Sequence, residues 1–515
     1  MPDIALDRAR HPLAIAIDIG SSSVRCLAYD ADGRQIADTE TQIGHALRAD
    51  RFGASEADPR HLFDLVVVCV DGTIGRLGRH IDAAGAIGMS CFWHGLLGLN
   101  DRGEPTTPVL MWADKRSGRF VTPLAAAFPP PEAIAATGCR IHSSYWPAKL
   151  CWLDETEPET FARTARWVSL PDYIELRLTG HLSTSVSMAS GTGLLGLDDV
   201  DWYAPMLDAV GIRHDQLPAI VDRTEALPPL LPEYANRWPA LATIPRFAAI
   251  GDGAAANVGA GCVGADRIAL TVGTSGAMRT VVPDEALMAQ GTPPGQLWIY
   301  RLDRNHRVLG GALSNGGNVT GWVAGHFAGG NFDRLTSEAE RMQPDSHGLT
   351  VLPFLAGERS PSWDDTATGT ITGLRLATTP GEVFRATLEA SAYRFTAIYD
   401  DLRAVVTPDH EIHANGAAVL ASPLWLQILA DVLGHRIDAL DAEAEASACG
   451  AAICALETIG ARPSRRSTHD EIIRTYDPDN TTRDAYIAGR TRHLALERAL
   501  APFNHPGQHT SPESR

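Results

Sequence analysis

Several things are missing from this 515-residue chain. Basic charge is in short supply: 44 Lys and Arg stand against 62 Asp and Glu, a net charge of −18. A protein that tracks nucleic-acid phosphates needs a basic stripe, so nucleic acid is excluded as a partner and the acidic balance reads as a means of solubility. Long apolar runs are absent too. The longest candidate, residues 65–70, falls far below the ~18 residues of a membrane span, and the charged residues 1–11 lack the apolar segment of a secretory signal. A cytoplasmic location without a membrane partner is expected. The eight cysteines, Cys26, Cys69, Cys91, Cys139, Cys151, Cys262, Cys449 and Cys454, are scattered and form neither a C-x-x-C pair nor a zinc-type spacing. They read as buried thiols of a reducing compartment. Two phosphate-binding signatures are also lacking. There is no Gly-x-x-x-x-Gly-Lys-Ser/Thr loop, and the first glycine turn leads from strand into strand rather than into the helix a dinucleotide fold requires.

What is present is ordinary globular composition, 44% hydrophobic and 21% charged residues, in a chain long enough for two to four domains. It also contains an internal repeat. Leu13-Ala-Ile-Ala-Ile-Asp18-Ile-Gly20-Ser21-Ser22-Ser23-Val24-Arg25 is an apolar strand, a small-residue turn and a second strand running on to Tyr29. Arg267-Ile-Ala-Leu-Thr-Val-Gly273-Thr274-Ser275-Gly276 repeats it about half a chain later. Strands alternate with helical stretches at 60–79, 382–402 and 423–433, which predicts an α/β architecture of two similar lobes. The proline-rich residues 228–245 mark the join, and residues 246–250 resume as a short buried strand. The expected domains are 1–245 and 246–501, followed by a polar, disordered tail over 502–515.

Each hairpin turn offers backbone N–H groups and hydroxyls that can point at one anion, and two such turns facing each other would grip a polyphosphate from both sides. A single Gly-Ser-Ser turn is otherwise only a hairpin. Asp18 closes the first strand, placed either to hold phosphate-bound Mg²⁺ or to accept turn N–H groups. In Ile250-Gly251-Asp252-Gly253 a strand end presents a carboxylate between glycines, ahead of small residues suited to a tightly packed helix. Asp252 is then either a helix cap or the base that takes a hydroxyl proton during phosphoryl transfer. Two polar and aromatic clusters, Phe92-Trp93-His94-Gly95 and Met111-Trp112-Ala113-Asp114-Lys115-Arg116, supply what recognition of a polyol needs.

Together these segments resemble the FGGY family of carbohydrate kinases. The most specific match is Gly369-Thr-Ile-Thr-Gly373-Leu374 with Glu382-Val383 and Ala386-Thr-Leu-Glu389, which fits the family's C-terminal signature. Pro353-Phe-Leu-Ala-Gly357-Glu358-Arg359-Ser-Pro361 and Trp425-Leu-Gln427 also resemble family blocks. The resemblance implies two actin-like, ribonuclease-H-like domains around a central cleft, ATP and Mg²⁺ as cofactors, and a small sugar or sugar acid as substrate; a homodimer stays open. By matched position it implies Asp18 and Asp252 at the metal and Asp252 as catalytic base. Ser21, Ser22, Ser23, Arg25, Gly273, Thr274, Ser275, Gly316, Gly317, Gly416 and Ala417 would lie along the nucleotide. Trp93, His94, Asp114, Arg116, Asp252 and Gly253 would lie along the sugar.

There are three departures from the family pattern: Ser21 where Thr is usual, Ala417 in place of a second glycine, and Tyr145-Trp146-Pro147 ahead of Lys149. The blocks around Trp93, Asp252 and Gly273 look more like the family's gluconate kinases than its xylulose kinases. D-gluconate is therefore the expected substrate, with xylulose, ribulose or another polyol as the alternative and Arg116 as the partner of a sugar-acid carboxylate. A non-kinase ATP switch on the same fold is the reading of another class.

Overall fold

The computed structural model describes residues 3–290, 297–440, 446–461, 463 and 472–504. Its two main sheets answer to the repeat. In the first, the order is Ile250–Gly251, Ala84–Cys91, Leu13–Ile19, Ser23–Tyr29 and Thr41–Gly44. The first three strands run parallel and the hairpin partners antiparallel. In the second, the order is Trp298–Arg301, His306–Leu313, Gly276–Pro283, Arg267–Val272, Glu411–Asn415, Ile437–Leu440 and Ile472–Tyr476. Arg267–Val272 again pairs antiparallel within its hairpin and parallel with the strand on its other side. All seven residues of Leu13–Ile19 are buried. That is why the strand reads as a nearly continuous apolar run rather than an alternating one.

The helices stop and start where local chemistry says they should. Pro59–Leu77 begins on Pro59, capped by the Asp58 carboxylate accepting from the Arg60 and His61 N–H groups, and ends at Gly78. Pro380–Leu402 opens on a reciprocal capping box between Thr379 and Glu382. Pro423–Leu433 stops at left-handed Gly434. No helix among the described residues is long and apolar enough to cross a membrane.

The two lobes are stitched together by small residues. Helix Ala446–Thr458, from the second half of the chain, packs with helix Asp252–Gly259 and buries Ala448, Cys449 and Ala452 in the same core as Leu13–Ile19. A β-carbon on Gly450 would lie 1.8 Å from the Ala255 carbonyl oxygen, and one on Gly259 2.0 Å from that of Ala446. Only glycine allows these backbones to touch.

Two expectations change. Ile250–Gly251 pairs with Ser90 and Cys91 of the first sheet, and helix Asp252–Gly259 follows directly. The crossing into the second sheet therefore falls between Gly259 and Arg267, after the proline-rich join and not at residue 245. The final helix, Arg483–Asn504, runs through Pro502, so residues 502–504 of the expected tail are helical; residues 505–515 lie outside the described residues.

Candidate active site

Sheet register sets out the carboxylates. Ile19, Cys91 and Gly251 share one row across three parallel strands, with Asp18 opposite Ser90 one row earlier. Asp252 follows Gly251 as the first residue of its helix. Asp18 and Asp252 thus emerge at the same edge of the sheet, two strand spacings or about 10 Å apart. Asp18 is buried, accepts from the Ser90 hydroxyl and pairs with Arg25 at 3.6 Å. Asp252 accepts from the Gly253 N–H at 2.8 Å. Burial pushes its carboxyl above the ordinary 3.8, against the pull of Arg279, the Gly253 N–H and Arg359.

The two glycine turns face one cavity of about 260 Å³, with Ser21 on one side, Ser275 and Gly276 on the other, and Asp252 between. The second turn is rigid. Gly273 donates to the Ser275 carbonyl at 3.0 Å, while the first N–H groups of helix Gly317–Ala328 hold the turn: Gly317 donates to the Gly273 carbonyl at 2.8 Å and Asn318 to that of Thr274 at 3.1 Å. A β-carbon on Gly316 would lie 2.8 Å from the Ser275 backbone, and one on Gly416, whose φ is +100°, 2.5 Å from the Val272 carbonyl oxygen. Only glycine fits so close a backbone approach, which packs the turn against the start of helix Gly317–Ala328.

Trp93 and His94 line the same cavity. The Trp93 indole donates to the Ser187 carbonyl at 2.9 Å and lies against Gly191, Gly251 and Gly253. A β-carbon on Gly251 would sit 1.8 Å from Trp93 Cε2. Gly251→Ala is therefore expected to displace the indole and lower kcat/KM for the sugar by on the order of 100-fold; steady-state kinetics would show it, and unchanged kinetics would remove Trp93 from the sugar site. His94 has a φ of +70°, a strained setting for a non-glycine residue. It is held by its Nδ1–H donating to the Gly191 carbonyl and by Lys149 gripping its own carbonyl at 2.9 Å. Burial pulls the imidazole down to about 3, only partly offset by the Gly191 carbonyl. The ring is thus neutral, with Nε2 an acceptor for a hydroxyl.

Other expected residues lie elsewhere. Ser22 is exposed, and the Ser23 hydroxyl accepts from Gln42 Nε2 at 3.1 Å and Arg25 Nη2 at 3.4 Å, turned into the sheet. Ala417 is exposed at the start of a short helix behind Gly416. Asp114 and Arg116 do not line the cavity. Arg116 pairs with Asp114 at 2.7 Å and Glu56 at 2.6 Å and stacks over Trp152 at 4.4 Å. The expected role of Arg116 at a sugar-acid carboxylate is corrected on this geometry: two carboxylates already occupy its guanidinium. Arg116→Ala is expected to cost about 2–3 kcal/mol of stability, since Asp114 keeps only backbone N–H partners and Glu56 only the exposed Arg48, while the sugar KM stays where it is. Chemical unfolding and kinetics check the two halves separately.

The guanidiniums that do line the cavity are Arg279 and Arg359. Burial lowers the pKa of both, yet an arginine stays charged. Arg279 reaches Asn257 Oδ1 at 3.2 Å and Thr271 Oγ1 at 3.3 Å. Trp298 and Tyr300 add aromatic faces, stacked at 4.2 Å, and Tyr145 meets Tyr300 hydroxyl to hydroxyl at 2.5 Å. Arg359 lies in the Gly357-Glu358-Arg359 block quoted above, and Trp298 and Tyr300 share one face of a strand. Those were the available signals for residues the sequence reading left out. Across the cleft, Asp365 meets the Ser143 hydroxyl at 2.5 Å, His142 at 3.1 Å and Lys115 at 3.7 Å. These contacts enclose the cavity.

Comparison with known proteins accords with this arrangement. Residues 13–259 match the profile of the FGGY family of carbohydrate kinases, N-terminal domain, and residues 268–458 that of its C-terminal domain. The chain is 28% identical to a gluconokinase of Bacillus subtilis, over 90% of each chain. It is 30% identical to a xylulose kinase of Escherichia coli, over 88% of this chain and 90% of that one. Among solved structures it resembles a gluconate kinase from Lactobacillus acidophilus, with a TM-score of 0.85, 28% identity, and coverage of 95% of this chain and 98% of that one.

Proposed function

The chain belongs to the FGGY family of carbohydrate kinases, and from that premise we propose that it transfers the γ-phosphoryl group of Mg-ATP to D-gluconate, giving 6-phosphogluconate. Kinases of this family use ATP as substrate. The observation that carries the choice of sugar is the charge in the cavity: its lining holds one carboxylate, Asp252, against two guanidiniums, Arg279 and Arg359. An anionic sugar balances that excess, whereas a neutral ketose leaves it to the ATP phosphates alone. The similarity to gluconokinases supports the same reading.

The ATP phosphates lie between the Ser21 turn and the Gly273–Ser275 turn, with adenosine toward Gly316, Gly317 and Gly416. The acids Asp18 and Asp252, hard oxygen donors at one sheet edge, are of the kind that hold Mg²⁺ directly or through water. When bound, Mg²⁺ supplies neutralising charge to the phosphate oxygens. Asp252 orients the attacking hydroxyl and takes its proton as the phosphoryl group passes through a loose, in-line transition state, in which little early proton removal is needed. His94 accepts from a sugar hydroxyl through Nε2, and the Trp93, Trp298 and Tyr300 rings cover the carbon chain. The contacts of Asp365 with Lys115, His142 and Ser143 keep the lobes closed, excluding water that would otherwise take the phosphoryl group. A cytoplasmic location is supported by ATP as co-substrate and by the eight thiols, all unbridged.

The test is ADP release by the purified protein with D-gluconate, D-xylulose, D-ribulose, erythritol and glycerol side by side. The expected result is the highest kcat/KM with gluconate. Preference for a neutral ketose would replace gluconate by the xylulose-type reading.

A further inference from the structure

We infer that Arg359 is the residue that reads the substrate's carboxylate, and that it sets the direction in which the sugar acid lies. This rests on the sugar-acid reading and deepens it.

Arg359 stands out as a guanidinium without a counter-ion. Its Nε is buried and has no hydrogen-bond partner, and its Nη2 reaches only the Leu313 carbonyl, at 3.5 Å. Its guanidinium carbon lies 4.9 Å from the centroid of the Trp112 ring. No carboxylate among the described residues lies within ion-pair distance of it. Among the neighbouring acids, Glu358 is gripped by Arg394 at 2.7 and 2.5 Å and Asp365 is held by His142, Ser143 and Lys115, while Asp252 faces the same cavity and feels the Arg359 charge without pairing with it. A charge half-removed from water at a cavity wall, its Nε without a partner, is set up for an anion from outside. Glu358 is the positioning residue, since its fork with Arg394 fixes the backbone from which Arg359 projects.

Arg279 does not fill this role. Its Nε and Nη2 are already bonded, and its Nη1 lies 2.9 Å from where a β-carbon on Gly253 would be, beside Asp252. That is the end of the cavity where the hydroxyl is activated and the phosphoryl group arrives. Arg359 stands in the company of Trp112, Tyr145 and Tyr300, within reach of the Asp252 charge but not paired with it. With the carboxylate on Arg359 and the opposite end of the chain at Asp252, the hydroxyl presented for transfer is the terminal one farthest from the acid group. One arginine selects the acid and thereby selects the hydroxyl.

The experiment compares D-gluconate with D-gluconamide, which has the same length and hydroxyls but no charge, in the wild-type protein and in the Arg359→Gln and Arg359→Lys variants. The wild type is expected to favour gluconate in kcat/KM by on the order of 100-fold. Arg359→Gln should bring that ratio close to one by raising the KM for gluconate, without raising the KM for ATP. Arg359→Lys, which keeps the charge but loses the fork, should fall between, and thermal melting identifies any variant that fails to fold. A wild-type preference for gluconate that survives in folded Arg359→Gln overturns the assignment and leaves the sugar-acid reading intact. A rise in the KM for ATP alone would assign Arg359 to the nucleotide phosphates instead. A wild type indifferent to the charge overturns the sugar-acid reading itself, and this inference with it.

Discussion

Asp252→Asn is expected to lower the rate of phosphoryl transfer by about 10²- to 10⁴-fold while ATP binding is retained. Asparagine keeps the size of the side chain at the start of helix Asp252–Gly259 and can keep its carbonyl on the Gly253 N–H, so the fold has little reason to change. What is lost is the acceptor for the hydroxyl proton and a carboxylate beside the metal. The pH profile gives a second readout. Asp252 must be ionised to act, so kcat/KM falls as pH drops through its pKa, which burial holds above the ordinary 3.8. The acid limb of the wild type is expected at higher pH than an ordinary aspartate would give and should vanish from the residual activity of the variant. His94, pulled down to about 3, is already neutral there and adds no break between about pH 5 and 8. Near-normal turnover by Asp252→Asn would remove the assignment, whereas loss of nucleotide binding along with turnover would make Asp252 a structural residue.

The second large effect is expected from Lys149→Met. Lys149 is fully buried, and its three N–H groups meet the carbonyls of His94 at 2.9 Å, Met111 at 2.9 Å and Leu110 at 3.2 Å. Methionine has a similar length and no donors, so the His94 carbonyl loses its partner, while those of Leu110 and Met111 keep only the N–H groups of Leu96 and Asp114. At about 1–3 kcal/mol for an unsatisfied buried carbonyl, with the two weakened ones adding to it, the expected cost is about 2–4 kcal/mol. The same ammonium ties the Trp93–His94 segment to the strand ending at Leu110, and holds His94 in its left-handed conformation. The sugar KM should therefore rise along with the loss of stability. Denaturant unfolding followed by tryptophan fluorescence measures the first effect, with the two lobes treated as separate transitions; kinetics measures the second. An unchanged midpoint would mean that water serves these carbonyls as well as the ammonium does.

How much of this was legible in the sequence depended on how local the cause was. Both hairpins are dictated by short apolar strands around small-residue turns, and both are present. Helix Pro423–Leu433 matches its expected bounds because proline begins it and glycine ends it. Trp93, His94 and Asp252 could be singled out from their neighbours in sequence, and all three line the cavity. Arg116 misled for the opposite reason. Its neighbour Asp114 was visible, but Glu56, which completes the ion-pair cluster, comes from a distant strand that only the tertiary fold brings near. The boundary between lobes was misplaced in the same way. The prolines at 228–245 read as breakers, yet Pro232 and Pro239 begin the short helices Pro232–Arg237 and Pro239–Leu241, and sheet membership of Ile250 is decided by its pairing with Ser90. Arg359 was quoted as part of a family block, yet its importance lies in the carboxylates it does not meet, and that is a property of packing.

The most direct test of the central claim is the identity of the product. Purified protein, Mg-ATP and D-gluconate are incubated to completion, and the mixture is followed by phosphorus NMR and mass spectrometry. One equivalent of 6-phosphogluconate should form for each ADP, with no excess inorganic phosphate and with Asp252→Asn forming it about 10²- to 10⁴-fold more slowly. ADP accompanied only by inorganic phosphate, or a phosphoryl group on any hydroxyl other than the terminal one, would contradict the account.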